Sequence, residues 1–282
     1  MTVRADRPLA GIAEEVGKLP AFFRRNLLTM WSYRLAFFAD WFNLVTQLVV
    51  FSFVGRLVDT TRLPEIGGRR VGYIEYVAVG IALMSFVQIA LSRVLGAIRQ
   101  EQLIGTLEFL LVTPTTPTTL QIGLVVYDLF YVPLRTFIFL GLAAAFFDIT
   151  MTVSGLLPAL AILLTFIPFV WGLGMVSAAA TLTFRRGSGI VGLGAVALTV
   201  LSAAYIPVDV LPGWARWFAE RNPLTLALSG ARETILGGAG WSVVPPMVVV
   251  FVPLSIVSMA IGVYAFRLAM RRERRRGTLG MY

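Results

Sequence analysis

Long apolar runs alternate with short polar breaks along this chain, and the run lengths set its architecture. Stretches such as 156–180 and 243–265 are nearly free of charge. A hydrocarbon layer of roughly 30 Å takes about 20 apolar residues per helix. Six runs meet that need: 35–54, 73–95, 120–147, 156–183, 189–205 and 243–266. Ahead of the first, Ile12, Val16, Leu19, Phe23 and Leu27 recur at helical spacing opposite Glu14, Glu15, Arg24 and Arg25. That pattern predicts an amphipathic helix lying on the membrane surface, kinked or restarted at Pro20; the plainer reading is a cationic tail that fixes topology. Between the second and third runs, Leu103, Leu107, Leu110 and Leu111 share one helical face while Glu101 and Glu108 lie two turns apart on another. This reads as a short amphipathic helix, ended by the Thr-Pro-rich stretch 113–118. Before the last run, Pro207, Pro212 and Pro223 break any continuous span, while Leu211, Trp214, Trp217, Phe218 and Leu224 supply an interfacial apolar face. The pattern predicts an all-α integral membrane protein of about six transmembrane helices.

Composition narrows the chemistry. Hydrophobic residues make up 57% of the 282 and charged residues 14%, against about 25% charged in soluble domains. With neither Cys nor His, thiolate nucleophiles, disulfides, His bases and nearly every zinc or copper site are excluded. The net charge of +9 points to the lipid face rather than to nucleic acid, because the cations cluster at the two ends. Arg4, Arg7, Lys18, Arg24, Arg25 and Arg34 precede the first run, and Arg267, Arg271, Arg272, Arg274, Arg275 and Arg276 follow the last. An even number of spans then puts both termini in the cytoplasm. The first outer loop dissents with Arg56, Arg62, Arg69 and Arg70, partly balanced by Asp59 and Glu65. No cleavable signal peptide is expected, since no apolar segment with a small-residue cleavage site precedes the first run.

Two glycine motifs mislead. Gly187-Ser-Gly189-Ile-Val-Gly192 has dinucleotide-binding spacing but opens a membrane run, where small residues, Gly194 and Ala195 included, let helices approach closely. Gly11 to Lys18 misses the phosphate-loop spacing, with Leu19 where Ser or Thr would hold magnesium. Inside the apolar runs stand Asp40, Asp128 and Arg135. Charges there need a partner or water, so they either line a polar pathway or pair across helices to hold the bundle. The Glu101 and Glu108 stretch has a bland reading as an elbow between spans; acid/base chemistry there lacks a companion group.

Glu101-x-x-x-Gly105-Thr106-Leu107-Glu108-x-Leu110-Leu-x-Thr-Pro114 resembles the first cytoplasmic loop of type-2 ABC exporter permeases, and Pro207-Val-Asp-Val-Leu-Pro212-Gly-Trp214, then Asn222-Pro223 and Arg232, resembles the segment these permeases carry between their fifth and sixth spans. The likeness covers nearly the whole chain. It implies one permease domain over 1–282, made of a cytoplasmic amphipathic N-terminus (1–34), a coupling-helix loop (96–117), an outer re-entrant segment (206–240) and a basic cytoplasmic tail (267–282). Glu101, Leu103, Gly105, Thr106, Leu107, Glu108 and Leu110 would then form the coupling helix that docks on the ATPase. It implies as partners separately encoded cytoplasmic ATP-binding subunits, which would hold ATP and magnesium, and a second permease copy or homologue, with membrane lipid around them. This chain itself would need no cofactor and would not be an enzyme. Polysaccharide-exporting members begin with an Arg- and Tyr-rich segment that 22–38 does not match; drug- and lipid-exporting members look nearer. The expected function is export of a hydrophobic or amphipathic substrate (drug, lipid or glycolipid) across a bacterial cell membrane. A proton-coupled secondary transporter and a membrane-embedded lipid-modifying enzyme are the alternatives from other classes.

Overall fold

In a computed structural model the described residues are 17–32, 34–57, 63–104, 123, 126–147, 149–183 and 187–276. Their helices, in chain order, are α1 (Leu19–Ser32), α2 (Arg34–Gly55), α3 (Tyr73–Ile104), α4 (Asp128–Phe147), α5 (Leu156–Thr183), α6 (Gly187–Val200), α7 (Gly213–Arg221), α8 (Pro223–Ile235) and α9 (Val244–Arg276). The strands among them are β1 (Glu65–Ile66) and β2 (Arg69–Arg70), a two-residue antiparallel hairpin. Gly67 and Gly68 turn it with φ of 61° and 73°, the positive pair that a tight hairpin turn requires.

Four helical segments are long and apolar enough to cross a membrane: Phe38–Gly55, Phe130–Phe147, Val153–Thr181 and Gly240–Ala269. The other two expected spans differ from the run lengths. The second is a single helix of 32 residues whose apolar part, Tyr73–Ile89, is short; it continues past residue 95 without the expected break, since 96–104 holds no Pro or Gly pair that would stop it. The fifth ends at Val200 after 14 residues, about 21 Å at 1.5 Å per residue, and gives way to a turn at 201–206. In the third span Gly123 is helical, a turn follows at 126–127, and the helix Asp128–Phe147 completes it, residues 120–122 and 124–125 lying outside the described residues. One boundary also moves. The last helix carries straight into the arginines, so that the backbone at 267–276 is helix rather than a separate tail.

The helix α5 organises the core. It runs parallel to α9, and the two come close because their contact is built from small residues: a Cβ on Gly172 would overlap Ser258, and one on Gly262 would sit 2.6 Å from the Gly172 carbonyl. Pro168 cannot donate a backbone hydrogen bond inside α5. Neighbouring carbonyls gain donors from α9 instead, Ser255 Oγ to Thr165 O and Ser258 Oγ to Phe169 O, each 2.9 Å. Phe166 joins three helices, with ring centroids 6.4 Å from Phe86 of α3 and 5.1 Å from Phe251 of α9. A second cluster, with Ile81, Phe139, Leu140, Ala159 and Ile235, seats α4 and α8 against α3 and α5. At the opposite end from the hairpin, α1 lies across the start of α4. Phe23 meets Tyr127 and Phe130 at 5.6 Å each, and Asn26 Nδ2 donates to Gly123 O at 3.2 Å.

Candidate functional site

The broken end of α6 is where the predicted segment 206–240 meets the bundle. Past Val200 the chain turns, and Ala203 holds a φ of 55°, a left-handed conformation that a residue with a Cβ adopts at a cost. Carbonyls in a buried turn outside any helix or sheet have no regular backbone partner, so they need donors from elsewhere. Arg232, on α8 and 4% exposed, supplies them. Its Nη1 donates to Ala203 O at 3.1 Å, Nη2 to Ala204 O at 2.9 Å and Nε to Tyr76 O of α3 at 3.2 Å. Its guanidinium carbon lies 3.4 Å from the Tyr76 ring centroid, a cation–π contact in a dry site. Tyr76 Oη donates to Ala203 O at 2.9 Å and Tyr73 Oη to Tyr205 O at 3.2 Å. A Cβ on Gly80 would overlap the Ala204 carbonyl, so the turn presses directly on α3. The guanidinium's partners here are carbonyls and a ring rather than a carboxylate.

Asn222 does the same work one level deeper. Its Oδ1 accepts from Leu224 N at 3.0 Å, capping α8, while Nδ2 donates to Leu201 O at 3.0 Å. Pro223 follows in the first turn of α8, where its missing N–H costs nothing. Pro207 and Pro212 precede the short helical turn Val208–Val210 and α7 respectively. Trp214, Trp217 and Phe218 of α7 are exposed, an aromatic set suited to the membrane interface. From Tyr205 beside Tyr73, the chain thus dips to Asn222 beside Leu201 and returns along α8 to residues 235–237 at the hairpin end. There Thr152 N donates to Ile235 O at 2.8 Å.

The hairpin arginines are accounted for by pairing that spacing did not reveal. Arg70 Nε lies 3.4 Å from Glu65 Oε1, and Arg69 Nη2 lies 3.3 Å from Glu75 Oε2 at the start of α3. Glu75 also accepts from Gly72 N at 3.0 Å and from Thr150 Oγ1 at 2.8 Å, and Arg69 Nη1 donates to Thr150 Oγ1. Glu75, Thr150, Tyr73 and Tyr76 escaped the sequence reading, which counted Arg69 only as a charge of the outer loop; a carboxylate in the first turn of a membrane helix is the signal that could have found Glu75.

Of the three charges in apolar runs, Arg135 pairs with Asp40, Nη2 to Oδ2 at 2.7 Å across α4 and α2. Asp128 opens α4. The stretch expected to couple to an ATPase falls mostly outside the described residues: Gly105, Thr106, Leu107, Glu108 and Leu110 lie there, while Glu101 and Leu103 are on the last turn of α3. The glycine motif at 187–192 opens α6, and beyond it a Cβ on Gly194 would meet nothing within 4 Å among the described residues. Among the described residues no group of His, Cys, Asp and Glu could hold a metal ion.

A bundle of long apolar helices, with a broken one clamped to a pair of short returning helices near the hairpin end, defines a multi-pass membrane protein. The family model of the ABC-2 type transporter matches residues 18–236, and the chain belongs to that family: it is an ABC transporter permease. Permeases of this family work with ATP-binding subunits and form dimers. No curated protein matches the chain.

Proposed function

We propose that the chain is the membrane permease of an ATP-driven exporter. It moves a hydrophobic or amphipathic substrate, a drug, lipid or glycolipid, out of the cytoplasm or inner leaflet of a bacterial cell membrane. Separate cytoplasmic subunits bind ATP and magnesium, and a second permease copy or homologue completes the pair. Six crossings and both termini in the cytoplasm complete the topology, with 1–282 a single permease domain; the stacking of Tyr205 on Phe51 near the end of α2 supports a sixth crossing, because it brings the turn after α6 to the hairpin end.

One observation carries this reading beyond the family: α3 is unbroken from Tyr73 to Ile104. Its hairpin end is held by Arg232 at the broken α6, and its other end leads into the proposed coupling helix, Glu101 to Leu110. A stiff rod of 32 residues, about 48 Å long at 1.5 Å per residue, is a direct mechanical route between the two. Leu103, Leu107 and Leu110 are proposed to enter a groove on the ATPase, with Glu101 and Glu108 on basic groups beside it. Placing a charge on that face buries it without a partner, which costs several kcal/mol. Leu107→Asp should therefore insert in the membrane normally, fail to co-purify with the ATP-binding subunit and abolish ATP-dependent transport in vesicles. Full complex formation and full transport by that variant would reduce the stretch to an elbow between spans.

A further inference from the structure

The span α2 has three faces. At about 100° per residue, Leu44, Leu48, Phe51 and Gly55 turn toward the bundle, with Leu44 and Leu48 each 3% exposed. On the opposite side Phe38, Phe42, Val45, Val49 and Phe53 are all exposed and all apolar, as contact with lipid requires. Between these runs a third strip, Asp40, Asn43 and Gln47, spread over about 60° of arc. Asn43 is exposed and Gln47 half-buried. Gln47 Nε2 donates to Asn43 Oδ1 at 2.6 Å, which leaves the Asn43 amide N–H groups and the Gln47 carbonyl without a partner among the described residues.

Depth gives the strip its meaning. Counted from Phe38 at the start of the apolar segment Phe38–Gly55, Asn43 and Gln47 lie about 8 and 14 Å along a length of about 27 Å. Open amide groups facing hydrocarbon at that depth cost several kcal/mol, so such groups face protein or water. A second observation lies at the head of the same strip. Arg135, 3% exposed, gives Nη2 to Asp40 and has no hydrogen-bond partner for Nε and Nη1 among the described residues, while the Asp40 side chain is 45% exposed.

We propose that this flank of α2 borders a water-filled transport path, and that the path selects cargo bearing a hydrogen-bonding head group. The two amides would receive that head group at mid-membrane. The half-engaged Asp40–Arg135 pair would receive it nearer the end where α1 lies, while the apolar part of the cargo stays beside the lipid-facing strip. The proposal rests on the permease reading but is tested without ATP hydrolysis or an identified cargo, so its failure leaves that reading standing.

The absence of Cys makes the test direct. Asn43→Cys and Gln47→Cys on the flank, and Val45→Cys and Val49→Cys on the lipid-facing strip, are expressed with the ATP-binding subunits. Membranes are then treated with a charged, membrane-impermeant methanethiosulfonate reagent. Such a reagent needs a thiolate, which forms in water and not in hydrocarbon, so the flank positions should react at least about tenfold faster than the other two. Val50→Cys, one turn along the same flank, replaces either flank variant that fails to accumulate. Equal rates on both faces, fast or slow, overturn the proposal. So does an oxidative cross-link between two copies through Cys at 43 or 47 with no labelling, which would make the flank a packed interface.

Discussion

At the scale of single residues, Arg232 carries more of the structure than any charge the apolar runs contain. A membrane interior offers no water to the carbonyls of a broken helix, so a donor with several N–H groups in one plane is the economical solution. Lys has the charge but not the fork. Arg232→Met removes the guanidinium donors of the Ala203, Ala204 and Tyr76 carbonyls and strands Ala204 O in particular, since Ala203 O keeps the Tyr76 hydroxyl and Tyr76 O lies within α3. At about 1–3 kcal/mol for each buried group left unsatisfied, the variant should lose most of its folded protein on mild heating in detergent, followed by size-exclusion chromatography. Arg232→Lys should recover part of that loss. Wild-type recovery for both would mean that the clamp contributes nothing. Residue-scale reading of the sequence found Asp40, Asp128 and Arg135 as charges inside apolar runs, where a charge is conspicuous; Asn222 and Arg232 it reached only through the resemblance of their segment to the permease family. It did not pair Arg135 with Asp40 or Arg232 with Tyr76, which lie on different helices.

Among elements, the contact between α5 and α9 rests on what is missing rather than on what is present. Gly172 leaves room for the backbone of α9 at Ser258, whereas Gly141 on α4 faces open space. Gly172→Val should push the two helices apart, unseat Ser255 and Ser258 from their carbonyls and lower the amount of monodisperse protein sharply. Gly141→Ala should leave it unchanged or raise it, since Ala favours helix over Gly by about 1 kcal/mol. Comparing the two by fluorescence-detected chromatography separates close packing from helix propensity; equal effects would show that α5 and α9 do not need the gap. Element lengths were read less well than element existence. Apolar runs mark where lipid or core can cover a helix, but a helix stops where its backbone finds other donors and acceptors, as α6 does beside Asn222, whose Nδ2 donates to Leu201 O, and continues where nothing interrupts it, as α3 does past residue 95.

For the whole molecule, sidedness and energy supply are the questions. Arg24 and Arg25 of α1 and the arginine-rich end of α9 should face the cytoplasm by the positive-inside rule. Reporter fusions at both termini should read as cytoplasmic, and insertions at Gly67 and Gly240 as external. A terminus outside would remove the proposed docking of an ATPase. The purified chain alone should neither bind nor hydrolyse ATP, because neither glycine motif has the spacing and context that cradle a phosphate; turnover by the isolated chain, free of contaminating ATPase, would overturn the division of labour. The hairpin arginines, which count against this topology on charge alone, are offset by Glu75 and Glu65. That pairing is invisible along the chain because Glu75 lies beyond the hairpin, at the head of the next helix.

The amino-acid order by itself determined the solvent, the helical class, the family and the position of the segment that interrupts the last third. The family follows from the resemblance of two motifs, and the rest from local quantities: run length against bilayer thickness, helical periodicity, and Pro where a span would otherwise continue. Only the tertiary structure decided that Arg135 belongs with Asp40, that Arg232 holds the turn after α6 against α3, and that α2 shows a polar flank. These are relations between faces of different helices, and a face is chosen by packing: which side of α2 meets the bundle depends on Leu44, Leu48 and Phe51 finding partners far away in the chain, and the exposure of Asn43 and Gln47 follows from that choice.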